Sequence, residues 1–178
     1  MKRVITILFA SLFISLGAFA QNASEARDAN ARLKALYLYN FARNVDWPSE
    51  YKSGNFVIGV VGSTDVYVKL VELYSSKSIG SQPIEIRQFK STAAIGKCHL
   101  LYLPVSQHEK LDEITKGQNK SSSLVVTEND GALVDGAVIN FIVIDNKLKY
   151  ELNKKRAVKR KLIIGQNLLK LAHSVTDG

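Results

Sequence analysis

The side chains able to carry chemistry are few in this sequence, and they are scattered along it. His99, His108 and His173 share no short, regular interval of the kind from which zinc sites draw their ligands. His99 opens an apolar strand, which suits a structural residue at a sheet edge, and His108 sits beside Glu109 at an exposed helix start. Cys98, the only cysteine, has no neighbour that would activate a thiolate and reads as a packed residue. Standing alone, it also rules out an intrachain disulfide. No Gly-x-Ser-x-Gly elbow occurs. Gly59 and Gly62 flank a strand-to-helix turn whose N–H groups could hold an anion. The third glycine of a dinucleotide fingerprint and the Gly-Lys-Ser/Thr of a P-loop are missing, so a tight turn is the simpler reading. Glu128 and Asp130 could pair as glycan-cleaving carboxylates, but the Asn, Asp and Gly around them are turn formers. The residues point to no enzyme, no metal and no cofactor.

Two features rise above that background. The run Lys154-Lys155-Arg156-Ala157-Val158-Lys159-Arg160-Lys161 holds six basic residues in eight. On a helix it makes a positive patch that could meet anionic lipid or an acidic partner, or simply a solvated face. The second feature is an aromatic cluster, Tyr37, Tyr39, Phe41 and Trp47, with Arg43 among them. Such residues build cores and also interface hot spots. Helical spacing sends Tyr37 and Phe41 inward and leaves Tyr39, Arg43 and Trp47 as candidates for the surface.

The elements that must position these residues follow from periodicity. Residues 22–36 are rich in Ala and charge, and Leu33, Leu36, Tyr37, Asn40 and Phe41 fall at three- and four-residue spacings. These predict a helix with one apolar stripe, ending before Asp46-Trp47-Pro48. The apolar run at 56–62 predicts a strand buried on both faces, 84–89 an alternating strand, 99–103 another buried strand and 124–127 a fourth. Helices are expected between them: one capped by Ser63 or Thr64 with Val66, Leu70, Leu73 and Tyr74 inward, a short turn at 91–95, and one from Ser106 carrying Leu111 and Ile114. Strands at 138–144 and 148–152 join at Asp145-Asn146-Lys147, good hairpin chemistry because Asn and Asp tolerate positive φ. Helical segments at 154–161 and about 166–173 close the chain. The order describes an α/β protein, a three-layer sandwich with a mixed, mainly parallel sheet and a C-terminal hairpin.

Residues 1–20 have the parts of a secretory signal peptide in order: basic Lys2-Arg3, an apolar run from Val4 to Phe19, and Ala18-Phe19-Ala20 before Gln21. Cleavage is expected between Ala20 and Gln21, leaving residues 21–178 as one soluble domain without a transmembrane segment. The chain carries a net charge of +8, and loss of Lys2 and Arg3 removes two of those charges. A basic balance often marks nucleic-acid binding, but an exported protein rarely meets DNA or RNA. Anionic lipid, acidic glycan or an acidic protein face suits the surplus better.

The stretch Leu36-Tyr37-Leu38-Tyr39-Asn40-Phe41-Ala42-Arg43-Asn44-Val45-Asp46-Trp47-Pro48 resembles the opening motif of the YfiR-like family of bacterial periplasmic proteins. Phe56–Gly62, Cys98-His99-Leu100-Leu101-Tyr102, Gly136-Ala137-Val138-Ile139-Asn140-Phe141, Lys149-Tyr150-Glu151-Leu152-Asn153 and Leu168–Ala172 are similar to that family's later segments, in the same order. The resemblance implies a Rossmann-like sandwich that can dimerise. It also implies a periplasmic regulator that binds the periplasmic domain of an inner-membrane diguanylate cyclase, or of a sensor kinase, and so controls cyclic-di-GMP and biofilm formation. Some relatives carry disulfides, which this chain cannot form within itself. Candidate partner contacts are Tyr39, Arg43, Trp47, Glu151, Lys154, Lys155 and Arg156. Asn40, Trp47, Asn140 and Glu151 read equally well as fold determinants. The rival function is a small-ligand binder with its pocket at the strand C-termini, near Gly62 or Pro104; a glycan hydrolase has only the compartment in its favour.

Overall fold

The computed structural model describes residues 2–62, 64–118 and 121–177, with side chains from residue 23 onward. The leader and its Ala20–Gln21 junction lie outside the residues whose side chains are described. The elements run α1 (Lys2–Arg43), β1 (Val45–Asp46), β2 (Phe56–Val61), α2 (Asp65–Tyr74), β3 (Ser78–Ile79), β4 (Gln82–Phe89) and β5 (Leu100–Leu103). Then come α3 (Leu111–Gly117), β6 (Leu124–Thr127), α4 (Ala132–Asp135), β7 (Ile139–Ile144), β8 (Lys147–Asn153), α5 (Lys154–Lys159), β9 (Ile163–Ile164), α6 (Gln166–Leu171) and β10 (Ser174–Thr176).

The main sheet has eight strands in the order β10-β8-β7-β6-β5-β2-β4-β3. Strands β4, β2, β5, β6 and β7 run parallel. Strand β8 returns antiparallel to β7. The connection runs through Asp145 and Asn146, whose φ values are 50° and 57°. Residues of this type accept such backbone angles and so make the hairpin. This is the mixed, mainly parallel α/β sandwich that the alternation of elements predicts.

Period-two alternation divides the core between the two sheet faces. Phe56, Ile58 and Val60 of β2, Leu100 and Tyr102 of β5, and Leu124 and Val126 of β6 join one cluster with α1, α2 and α6. Val57 and Val61, Leu101 and Leu103, and Val125 turn to a smaller cluster with Leu111 and Ile114 of α3 and Ala132 and Leu133 of α4. Thr64 caps α2, its Oγ1 accepting the Tyr67 N–H at 3.1 Å, as an N-cap hydroxyl does. Ser63, the other candidate cap, lies outside the described residues.

The apolar stripe of α1 is rotated from the expected one. Ala31, Ala35, Leu38, Phe41 and Ala42 are buried, whereas Leu33 and Leu36 are 40% and 45% exposed. Alanines on the inner face let the helix approach the sheet closely, and that choice of face turns the two leucines outward. His99 is also corrected. It stands at the start of β5 between β2 and β6, and is 3% exposed rather than at an edge. The small strands β1, β3, β9 and β10 are absent from the periodicity reading. Strands β1 and β9 pair antiparallel, and Gly165 permits their approach, since a Cβ there would meet the Asn44 carbonyl oxygen at 2.7 Å.

Candidate functional site

Strand order creates one crevice directly. The chain passes from β2 outward to β4 and then back to β5 on the other side of β2. The β2–β5 junction is thus the topological switch point where open α/β sheets leave a cleft at the strand C-termini. A cleft of about 520 Å³ lies there, lined by Thr64, Tyr102, Pro104 and Ser106 of the sheet end and by Arg27, Asn30 and Lys34 of α1. Gly62 is not an anion cradle: its φ is 78°, and its N–H is spent on the Phe89 carbonyl at 2.8 Å.

Glu128 organises this cleft, and sequence reasoning missed it by reading the segment as a turn. One carboxylate oxygen accepts the Tyr102 hydroxyl at 2.7 Å and the Val105 N–H at 3.0 Å, and the other pairs with the Lys34 ammonium. The Glu128 and Lys34 side chains are only 12% and 17% exposed. Burial, with the Glu128 charge beside it, pushes the Tyr102 phenol far up, so it stays a donor. Helix α1, β5, β6 and the loop after β5 are thereby tied at one carboxylate. Only the long-range pairing of residues 34 and 128 reveals this, and no local motif signals it.

At the opposite end of the same strands, Trp47 and His99 are interior. Trp47, expected at the surface, is 5% exposed and donates its indole N–H to the His99 carbonyl at 3.2 Å. Its ring packs edge-on against Phe56, because the chain turns inward at Pro48 and presents the indole to the sheet. His99 Nδ1 accepts the Val57 N–H at 3.0 Å. That leaves Nε2–H to donate to the Tyr51 carbonyl at 2.7 Å, since a neutral imidazole carries one donor and one acceptor. Desolvation lowers the His99 pKa and holds the ring neutral. Cys98 is buried, and desolvation raises its thiol to about 11, which suits packing rather than reactivity.

The remaining expected contacts fall into separate groups. Tyr39 stacks on Tyr74 with ring centroids 4.3 Å apart. Arg43 lies over the Tyr39 ring at 5.7 Å from its centroid, within the reach of a cation–π contact. Glu151 is half-buried and accepts the Asn140 amide at 3.0 Å, while Asn140 Oδ1 accepts from Thr127 Oγ1 and the Asn129 N–H. Asn140 and Glu151 therefore join β6, β7 and β8 across the sheet.

The basic run is divided in function by its two residue types. Arg156 donates Nε–H to the Leu133 carbonyl at 3.0 Å and an Nη2 hydrogen to the Val134 carbonyl, capping α4. Arg160 is buried and donates to the Gln118 carbonyl at 2.8 Å. Lys154, Lys155 and Lys159 are exposed and make no ion pair among the described residues. Asn153 caps this short helix, its Oδ1 accepting the Arg156 N–H at 2.9 Å. The two lysines in its first turn face the electropositive end of the helix, where cations are disfavoured. Beside them runs a second cleft, of about 500 Å³, between α4, α5 and β10. Among the described residues no helix is long and apolar enough to cross a membrane.

Comparison with known proteins places this fold. The chain is similar to a conserved domain protein from Vibrio cholerae O1 biovar eltor, with a TM-score of 0.56 at 14% identity over 82% of this chain and 60% of that one. It is also similar to the ABC domain in complex with L-Trp from Streptococcus pneumoniae, with a TM-score of 0.50 at 15% identity over 67% of this chain and 54% of that one. The chain thus spans little more than half the length of these two structures, and at such identities the likeness is one of fold alone. No curated protein matches the sequence. Residues 31–173 match the YfiR/HmsC-like family. That span takes in the buried face of α1, every strand of the sheet but β10, and the carboxylate and arginine ties between them. The chain belongs to the YfiR/HmsC-like family.

Proposed function

We propose that this protein is an exported, non-enzymatic regulator that binds and restrains the periplasmic domain of an inner-membrane signalling enzyme of the diguanylate-cyclase type. On this reading residues 1–20 are removed at Ala20–Gln21, and residues 21–178 work as one domain in the periplasm, alone or as a homodimer. The family match over residues 31–173 carries the reading. Side-chain roles support it. His99, Cys98 and Glu128, the groups best suited to catalysis by type, are each engaged in hydrogen bonds that hold the fold. Arg43, Lys154 and Lys155 keep exposed charge for a partner, with Tyr39 beside Arg43. Deleting the gene should raise cellular cyclic-di-GMP and biofilm mass, and a wild-type copy should restore both. An unchanged cyclic-di-GMP level removes the cyclase reading.

A second reading is favoured by the switch-point cleft, which lies where the rival ligand-binding function requires it. Its mixed lining, with Arg27, Asn30 and Lys34 among apolar groups, suits a small molecule that carries a polar group, received by a protein that feeds a sensor kinase or receptor. A ligand of the folded state raises its melting temperature by mass action, so a thermal-shift screen of small polar metabolites tests this. A flat screen at millimolar concentrations sinks it.

A further inference from the structure

The groove between α4, α5 and β10 is more strongly apolar than the switch-point cleft. Its walls are more apolar than polar, with Leu133 and Val134 on one side and the stems of Lys155 and Lys159 on the other. Val134 is 78% exposed, an unusual place for a valine beside lysines that have no counter-ion among the described residues. Arg156, which also lines the groove, holds α4 in place through two carbonyls, so the groove is built and does not depend on a partner to form. Thr176 closes it at β10, a strand that among the described residues pairs only with β8 and leaves its outer edge open.

From this geometry we infer that the groove is a docking site for an acidic segment of a protein partner, which sets an apolar side chain against Leu133 and Val134 and carboxylates beside Lys155 and Lys159. The charge asks for an acidic occupant, since α5 carries no acidic residue of its own. The shape and the apolar walls ask for an inserted side chain, which supplies the anchoring contact of a protein interface. A bilayer surface could neutralise the lysines but could not enter a concave groove. This inference deepens the regulatory reading and rests on it for the partner's biological identity, though not for the groove's chemistry.

A fluorescein-labelled peptide with one leucine flanked on both sides by glutamates probes the site by polarisation at low ionic strength. It should bind the full mature chain, and replacing its leucine by serine should weaken binding by about fivefold or more. The double variant Lys155→Glu/Lys159→Glu should lose about tenfold or more, and Val134→Ser about threefold. The charge-matched pair Lys77→Glu/Lys90→Glu, exposed and on the other side of the sheet order, should bind as wild type. Absence of binding, equal affinity for the serine peptide, or equal loss in the control pair overturns the proposal. Binding to phosphatidylglycerol vesicles that the peptide does not compete for overturns it in favour of a membrane surface. The peptide assay involves no cyclase, so its failure leaves the regulatory reading standing. An unchanged cyclic-di-GMP level in the deletion strain removes that reading without touching the groove.

Discussion

The switch-point cleft and the α4–α5 groove are nearly equal in size, at about 520 and 500 Å³, and they handle charge in opposite ways. At the switch point the cleft wall mixes polar and apolar groups, and its central charges are consumed internally: Glu128 satisfies Lys34, the Tyr102 hydroxyl and the Val105 N–H together. At the α4–α5 groove Arg156 is consumed by backbone carbonyls, and the lysines beside an exposed valine are left over. Charge in a cleft therefore marks an interface only where the fold has not already used it. A planar guanidinium with several donors in a fixed fork can cap carbonyls from inside, whereas a flexible ammonium stays in water. The two basic residue types in one helix have divided those tasks.

The largest effect is expected at Glu128. Glu128→Ala leaves a partly buried ammonium, a phenol and an N–H without their acceptor, and should cost about 3 kcal/mol in urea denaturation. Glu128→Gln, which keeps an acceptor for Tyr102, should recover part of that loss. If the alanine variant unfolds within about 0.5 kcal/mol of wild type, Glu128 is a surface carboxylate and the contrast fails. A smaller effect is expected at Arg156. Arg156→Ala removes the donors that cap α4 and should cost about 1–2 kcal/mol, with Arg156→Lys hardly better because one ammonium cannot reproduce the fork. Equal stability of the lysine variant and wild type would show that the arginine is held for its charge alone.

Any pH experiment on either cleft must be read over a background set by His99. Its folded pKa lies below the ordinary 6.5 because burial disfavours the imidazolium. Above that ordinary value both folded and unfolded forms are neutral, and the full stability is present. As pH falls below it the unfolded chain takes up the proton first, so stability declines down through the folded pKa. The melting temperature should drop in that window, and His99→Gln should flatten the drop. A drop of the same size in the variant assigns it to other groups.

The least change in stability is expected at the lysines. Lys155→Glu/Lys159→Glu should shift unfolding by no more than about 0.5 kcal/mol while weakening peptide binding by about tenfold or more, which separates a binding charge from a structural one. A large stability loss there would place the lysines with the arginines and erase the distinction.

Much of the scaffold could be read before folding. The runs at 56–62, 99–103 and 124–127 read as strands because they are short, mostly apolar and rich in β-branched or aromatic residues, and strands form at 56–61, 100–103 and 124–127. Asp145-Asn146 declared its hairpin, and the cap of α2 was narrowed to Ser63 or Thr64, because both act through local backbone geometry. The phase of α1 was not legible. Leu33 and Tyr37 satisfy a helical stripe as well as Ala31 and Ala35 do, and only the sheet beneath decides that close approach by alanines wins. Strands β1, β3, β9 and β10 are two or three residues long and carry no period of their own; each exists because a neighbour supplies its hydrogen bonds.

Residue type and spacing by themselves settled the fold class, the order of the longer strands and helices, and the presence of an aromatic motif and a basic run, because these rest on patterns within a few residues. Tertiary structure alone decided what those patterns are for. It buried Trp47 against His99, joined Lys34 to Glu128 across the sheet end, and turned Arg156 and Arg160 inward while leaving Lys155 and Lys159 in water. The physical reason is common to all three. Whether a polar or aromatic group is spent or available depends on which carbonyl, carboxylate or ring reaches it in space. Those partners lie from about twenty to nearly a hundred residues away along the chain.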